Sequence, residues 1–294
     1  MTITTTRSRA IVRISARKVK ADWLPWAAAF WVSMVIFFAI VVPFINTTPL
    51  TDVFLNNAFR PPVWDGGTIS HVLGTDNLGR DLLERLAYGA RVSLLVGIAS
   101  TVLASLIGSI IGLLAGYVGG WLDAVLARII DAQLCFPTIL LGLSFAAFLP
   151  PSLYVIVLAI SLSIWPMYAR VVRAEVLVVR QSDFVALAIA GGMRRAAIMR
   201  RHILPNVLPM VVVLASQNFG LAVIYEAALS YLGIGVQPPA TSLGLMIADG
   251  QVYLTSNPWV VFAPVIVLAS ISLAVNVLGD RLRDAFDPTS RATT

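Results

Sequence analysis

The chain has 294 residues, 58% hydrophobic and 12% charged, with a net charge of +6 and a mean hydropathy of +0.86. Soluble domains are about half apolar and about a quarter charged, so this composition excludes a water-soluble globule and makes the lipid bilayer the first partner. The basic balance is that of membrane-protein cytoplasmic loops, not of a nucleic-acid binder, while one cysteine, Cys135, and two distant histidines, His71 and His202, exclude a disulfide framework and give no metal cluster.

A basic tail, 1–23, with Arg7, Arg9, Arg13, Arg17, Lys18 and Lys20, precedes the first apolar run at 24–45. That run exceeds the about 7–15 residues of a signal-peptide core, and no small-residue cleavage site follows it, so it reads as an anchored span. A spanning helix needs roughly 20 apolar residues. Further candidates are 92–117, 124–148, 152–170, 207–230 and 258–278. The expectation is an all-α membrane protein with six transmembrane helices in one domain, 24–278, followed by a C-tail, 279–294. All Lys and Arg except Arg60, Arg80, Arg85 and Arg91 fall on one side of this topology. The positive-inside rule then puts both termini and the loop 181–206 in the cytoplasm, and 46–91 and 231–257 outside. The external arginines are interleaved with Asp76, Asp81 and Glu84, so the local net charge there is small.

The second span carries Ser100, Ala104, Gly108, Gly112, Gly116 and Gly120, a small residue at every fourth position. Such a stripe lets another helix backbone approach closely, in this chain or in another. Pro137 and Pro166 are expected to kink the third and fourth spans. Acids inside a membrane are costly and mark functional candidates. Asp131, near Arg128, reads as structural. Glu226, just before Leu229-Ser230-Tyr231-Leu232-Gly233, reads as structural or gating, and Gln217 and Asn218 as candidates for lining a polar path.

The segment Asp183–Asn206 is basic and only partly apolar. Phe184, Val185, Ala188 and Ile189 have helical spacing. Gly191-Gly192 permits a sharp turn. A second short helix, 193–203, sets Met193, Ala197 and Ile198 against Arg194, Arg195, Arg200 and Arg201, and Pro205 is expected to end it. Two angled amphipathic helices form either a knob for a groove in a soluble partner or an interfacial helix on anionic lipid. No GxxxxGK[ST] loop, Gly-x-Ser-x-Gly elbow or metal-ligand helix motif occurs, so the sequence points to no catalytic residue and no cofactor in this chain.

Ala186-Leu187-Ala188, Gly192 and His202-Ile203-Leu204-Pro205 have the spacing of a cytoplasmic loop whose usual form is Glu-Ala-Ala, three residues, Gly, nine residues, Ile-x-Leu-Pro. This segment resembles the loop of binding-protein-dependent ABC importer permeases, with Ala186 in place of the Glu. The run His71–Asp81, Tyr88–Leu94, Gly116–Asp123, Phe136-Pro137, Glu226–Gly235 with Gln237–Pro239, and Asn276–Pro288 resemble the C-type permease subunit of the dipeptide, oligopeptide and nickel branch. The resemblance implies a type I importer permease fold in the inner membrane. It implies a homologous second permease, an extracytoplasmic binding protein, and two ATPase subunits that carry ATP and Mg. Asp183, Ala186, Ala188, Gly191, Gly192, Arg200, His202, Leu204 and Pro205 would form the ATPase-coupling loop. Short peptides are the implied cargo, with nickel chelates, glutathione or another small solute as alternatives. The loop counts against an ion-driven secondary transporter or a membrane scaffold.

Overall fold

A computed structural model describes residues 23–45 and 52–286. The basic residues of the N-tail and Arg291 lie outside the described residues. Among the described residues, five helices are long and apolar enough to cross a bilayer: α1 (Leu24–Ile45), α2 (Leu82–Val118), α5 (Leu153–Arg180), α8 (Leu204–Tyr231), which continues a helical run from Arg195, and α10 (Trp259–Phe286). The expected third span is two helices, α3 (Gly120–Leu134) and α4 (Thr138–Phe148), set at 88°. Pro137 is the cause: it has no N–H, and it biases Phe136 away from helical geometry. The break is therefore sharper than the kink the sequence suggests. α5 continues through Pro166 without interruption.

α2 begins ten residues before the hydropathy boundary. Asp81 caps it, accepting from the Glu84 N–H at 3.1 Å, an arrangement that stabilises a helix N-terminus whatever the hydropathy of the next turns. Its 37 residues give a rod of about 55 Å at about 1.5 Å per residue, well beyond the about 30 Å of hydrocarbon. α5 is longer than its apolar run for a related reason: its last turns carry Arg170, Arg173, Glu175 and Arg180. These extensions project from the two ends of the bundle and carry the sites described below.

α2 is the central helix, packed most broadly on α5 and also on α1, α3, α8 and α10. The small-residue stripe explains the contact with α5. A Cβ at Gly108 would lie 2.5 Å from the Trp165 carbonyl oxygen. One at Gly112 would lie 2.6 Å from that of Ala169, and one at Gly116 2.8 Å from Val176 Cβ. The neighbour is thus inside this chain. Gly120 is not part of the stripe: it opens α3 with φ +64° and has nothing within 4 Å of its missing Cβ. Gly112→Val should cost about 3 kcal/mol, because the obstructing atom is backbone and cannot rotate away. Recovery of folded chain from membranes should fall, while Leu106→Val on the exposed face leaves it unchanged. Equal recovery of the two variants would remove close approach as the reason for the stripe.

Three apolar clusters fill the bundle. Ile156, Ile160, Ile164 and Tyr168 of α5 meet α2 and α8, and Val35 and Ala39 of α1 meet Leu86, Ile271 and Val275. Val172 and Val176 meet Val185, Ile198 and Ile203 at the end where α2 and α5 finish. That end carries a knob, residues 181–203. The opposite end carries a cap built from 52–81 and 232–257.

Candidate functional site

The knob starts with α6 (Asp183–Ala190), whose first turn carries Asp183, a favourable position for an acid beside the helix dipole. α6 ends in paired return bonds. Met193 N–H reaches the Ala188 carbonyl at 3.1 Å and Gly192 N–H that of Ile189 at 3.0 Å, with Gly192 at φ +73°. This left-handed closure is open to glycine and strained for most other residues. α7 (Arg195–Ile198) follows, then a π-helical turn, Met199–Ile203, then α8. Pro205 does not end the second helix as expected. It lies in the first turn of α8, where its missing N–H is tolerated, and the π turn absorbs the change in register, with Leu204 N–H bonded to the Met199 carbonyl.

The knob has two faces. Val185, Ile198 and Ile203 are fully buried against Val172, Val176 and Leu113, with Ala188, Met193 and Leu204 beside them. On the other face Leu187 is 72% exposed, Ile189 58% and Phe184 44%. Ala186, Gly191, Arg200 and Pro205 are also exposed. The His202 ring is tilted beside Phe184, with centroids 6.2 Å apart. Phe184 and Leu187, three positions apart on α6, form one exposed apolar patch, while Ile189 faces the other flank, toward Leu114, Val118 and Met193. Nearby, Arg173 makes a bidentate pair with Asp123, Nη2 to Oδ2 2.9 Å. Asp131 pairs with Arg170 at 2.7 Å, and not with its sequence neighbour Arg128. Both pairs tie α3 to α5 beside the knob.

At the cap, Asp76 is fully buried. One carboxylate oxygen accepts from the N–H groups of Leu78 (2.8 Å) and Arg80 (2.9 Å). The other accepts from Arg80 Nε and Arg85 Nη1, each at 2.7 Å. Arg85, on α2, also reaches Asp249 at 3.3 Å and Thr241 at 3.4 Å. Asp249 belongs to α9 (Leu243–Gly250), a short helix in the second segment of the cap. One buried guanidinium thus joins both segments of the cap to α2. No spacing in the sequence signals the Arg85–Asp249 pair, because its members are 164 positions apart. His71 Nδ1 lies 2.9 Å from Asp81 Oδ2 and adds a tie within the first loop.

Glu226 is fully buried. Ser93 Oγ of α2 donates to it at 2.6 Å and Ser230 Oγ at 2.7 Å, while Leu243 N–H at the root of α9 reaches Ser93 Oγ at 3.4 Å. This carboxyl joins α2, α8 and the cap. Asn218 is buried, its Nδ2 donating to the Leu214 carbonyl at 3.0 Å. Gln217 packs against Gly279 of α10, its Cγ 3.4 Å from where a Cβ there would stand. The polarity of these side chains was visible in the sequence; the face on which α8 packs was not.

Comparison with known proteins gives a consistent answer. Residues 108–292 match the family described as Binding-protein-dependent transport system inner membrane component. The chain is 44% identical over 262 residues to the Dipeptide transport system permease protein DppC of Escherichia coli (strain K12), covering 88% of this chain and 86% of that protein. It is 36% identical over 276 residues to the protein of that name from Alkalihalophilus pseudofirmus, covering 94% and 89%. It is 37% identical over 256 residues to the Di/tripeptide transport system permease protein DppC of Pseudomonas aeruginosa, covering 87% and 84%. Among solved structures, a chain of the inward-facing MetNI methionine ABC transporter superposes with a TM-score of 0.58 at 21% identity, covering 69% of this chain and 97% of that one. At that identity the likeness concerns the fold.

Proposed function

We infer that this chain, which belongs to the family of binding-protein-dependent transport system inner membrane components, is a permease subunit of an ATP-driven importer of di- and oligopeptides. It is a multi-pass membrane protein with a type I ABC importer permease fold. The observation that carries the coupling role is the two-faced knob: an exposed apolar patch of Phe184 and Leu187, backed by Val185, Ile198 and Ile203 buried against α2 and α5. A soluble ATPase that grips the patch would move those spans with it, because packed interiors transmit displacement instead of absorbing it.

The rest of the cycle follows from where α2 goes. It runs from the knob to the cap, and Arg85 and Ser93 on it hold both external loops. Displacement at the ATPase end is therefore delivered to the outer mouth, the requirement for alternating access. In this reading a homologous second permease supplies the facing wall of the path. Two ATPase subunits carry ATP and Mg. A binding protein outside the cytoplasmic membrane hands peptide to the cap, and this chain performs no bond chemistry. The loop acid usual in such permeases is Ala186 here, so docking rests on the apolar patch, with Asp183 one turn earlier and the exposed arginines beside it.

Uptake of labelled peptides of two to six residues, in cells with and without this chain, tests the assignment. ATP-dependent uptake lost on deletion, with a length cut-off, is the expected result. Unchanged uptake at every length, in cells lacking a redundant importer, would overturn the peptide cargo and direct the assay to nickel chelates, glutathione and other small solutes.

A further inference from the structure

Between the knob and the spans lies a cavity of about 450 Å³, within the about 300–1,000 Å³ usual for small-molecule sites. Leu114 and Val118 at the end of α2 form one wall, and Met193 and Met199 of the knob form the other. Arg180, the last residue of α5, and Arg195, the first of α7, stand at its edge. Among the described residues that line it, none is acidic.

Arg170, Arg173, Arg80 and Arg85 each pair with an aspartate. Among the described residues, Arg180 and Arg195 have no acidic partner. Arg128, Arg194, Arg200 and Arg201 likewise have no acidic partner among the described residues, and what sets Arg180 and Arg195 apart is that they line the cavity. Arg180 makes one long contact, Nη1 to the Gly116 carbonyl at 3.5 Å. The groove adjoins the end of the apolar run of α2, and Trp121, 77% exposed, follows it. Exposed tryptophans favour the membrane–water interface. Apolar walls and a cationic edge at one depth match an amphiphile with a negative headgroup, whereas a free anion would use the charge and leave the walls empty. The exposed knob residues Phe184 and Leu187 lie outside this groove, whereas Ile189 lines it.

We propose that this groove binds one anionic phospholipid of the inner leaflet, its headgroup between Arg180 and Arg195 and the start of its acyl chains along Leu114, Val118, Met193 and Met199. The inference stands on the groove and its charge, and its test scores lipid retention, so it is separable from the peptide reading. The assembled transporter in detergent is titrated with dioleoylphosphatidylglycerol or dioleoylphosphatidylcholine, and retained lipid is counted by native mass spectrometry. The expected result is one phosphatidylglycerol held on the order of tenfold more tightly than phosphatidylcholine, as two interfacial arginines imply. Arg180→Gln with Arg195→Gln abolishes the preference, and Arg194→Gln with Arg201→Gln leaves it. Met193→Trp, which fills the groove and keeps both cations, lowers retention. Equal retention of the two lipids overturns the proposal, as does displacement by inorganic phosphate. So does equal loss of preference in the Arg194/Arg201 variant, which would make the attraction diffuse.

Discussion

Asp76→Ala is expected to unseat the external cap and to lower the stability of the whole chain by about 3–5 kcal/mol, the range for removing one member of a buried ion pair. The side chain is fully buried and receives four hydrogen bonds, two from backbone N–H groups and two from guanidinium groups. Truncation leaves Arg85, only 4% exposed, with Asp249 at 3.3 Å and Thr241 at 3.4 Å as its remaining polar contacts. A buried cation that loses its closer, buried anion and keeps only a longer contact to a half-exposed one is what makes such a break costly. Against a total stability of about 5–15 kcal/mol, that is a large fraction. Thermal unfolding in detergent measures it, and limited proteolysis within 52–81 shows whether the cap loosens first. Asp76→Asn keeps acceptors for the turn and removes the charge, so it belongs between the two. Asp249→Asn is expected to be milder, since its side chain is 41% exposed. A wild-type unfolding temperature for Asp76→Ala would show that the cap is held by apolar packing alone.

Gly192→Val should leave the bundle folded and disconnect it from its motor. Nothing lies within 4 Å of the missing Cβ, so the substitution meets no steric obstacle from the rest of the protein. The effect is in the backbone alone: φ +73° is strained for a β-branched residue by about 1–3 kcal/mol. Relieving that strain breaks the return bonds from Gly192 and Met193 and swings α7 relative to α6. ATPase co-purification and ATP-dependent uptake should both fall by on the order of tenfold, the equivalent of about 1.4 kcal/mol, with the amount of chain in the membrane unchanged. Gly192→Asn should recover much of both, because asparagine tolerates this conformation. Gly191→Ala is the internal control: its φ is −74° and the nearest atom to an added Cβ is 3.4 Å away. Full ATPase association in the Gly192→Val protein would separate the knob's shape from coupling.

The spans were legible because hydrocarbon imposes a length and a polarity on any helix that crosses it. Their ends were not, because Asp81 and Glu84 start α2 by a local hydrogen bond that hydropathy does not register. The knob was legible in outline, since Gly191-Gly192 and the flanking periodicity are local signals. The fate of Pro205 was not. Whether a proline stops a helix or opens the next one depends on whether the preceding turn can change register, and the π turn at Met199–Ile203 does so.

The path candidates show the same limit inside the bundle. Glu226, Gln217 and Asn218 are polar residues on one apolar helix, and their types alone permit a lining role. Their surroundings follow from helical phase: α8 turns the buried Glu226 toward Ser93 and the half-buried Gln217 toward Gly279. The stripe from Ser100 to Gly116 predicted a close helix partner without saying which one, and only the folded chain puts Trp165, Ala169 and Val176 there.

By itself, then, the sequence determined a membrane bundle, its number of apolar runs, a basic loop with a glycine turn, and a family likeness carried by local motifs. Those properties depend on neighbours within a few turns, and chain order contains them. Tertiary structure alone decided that Arg85 joins Asp76 to Asp249, that Asp131 pairs with Arg170 and not Arg128, and that Arg180 and Arg195 face a shared groove without an acid between them. Those are pairings between residues far apart in the chain. Charge complementarity permits many of them, and packing of the spans selects one.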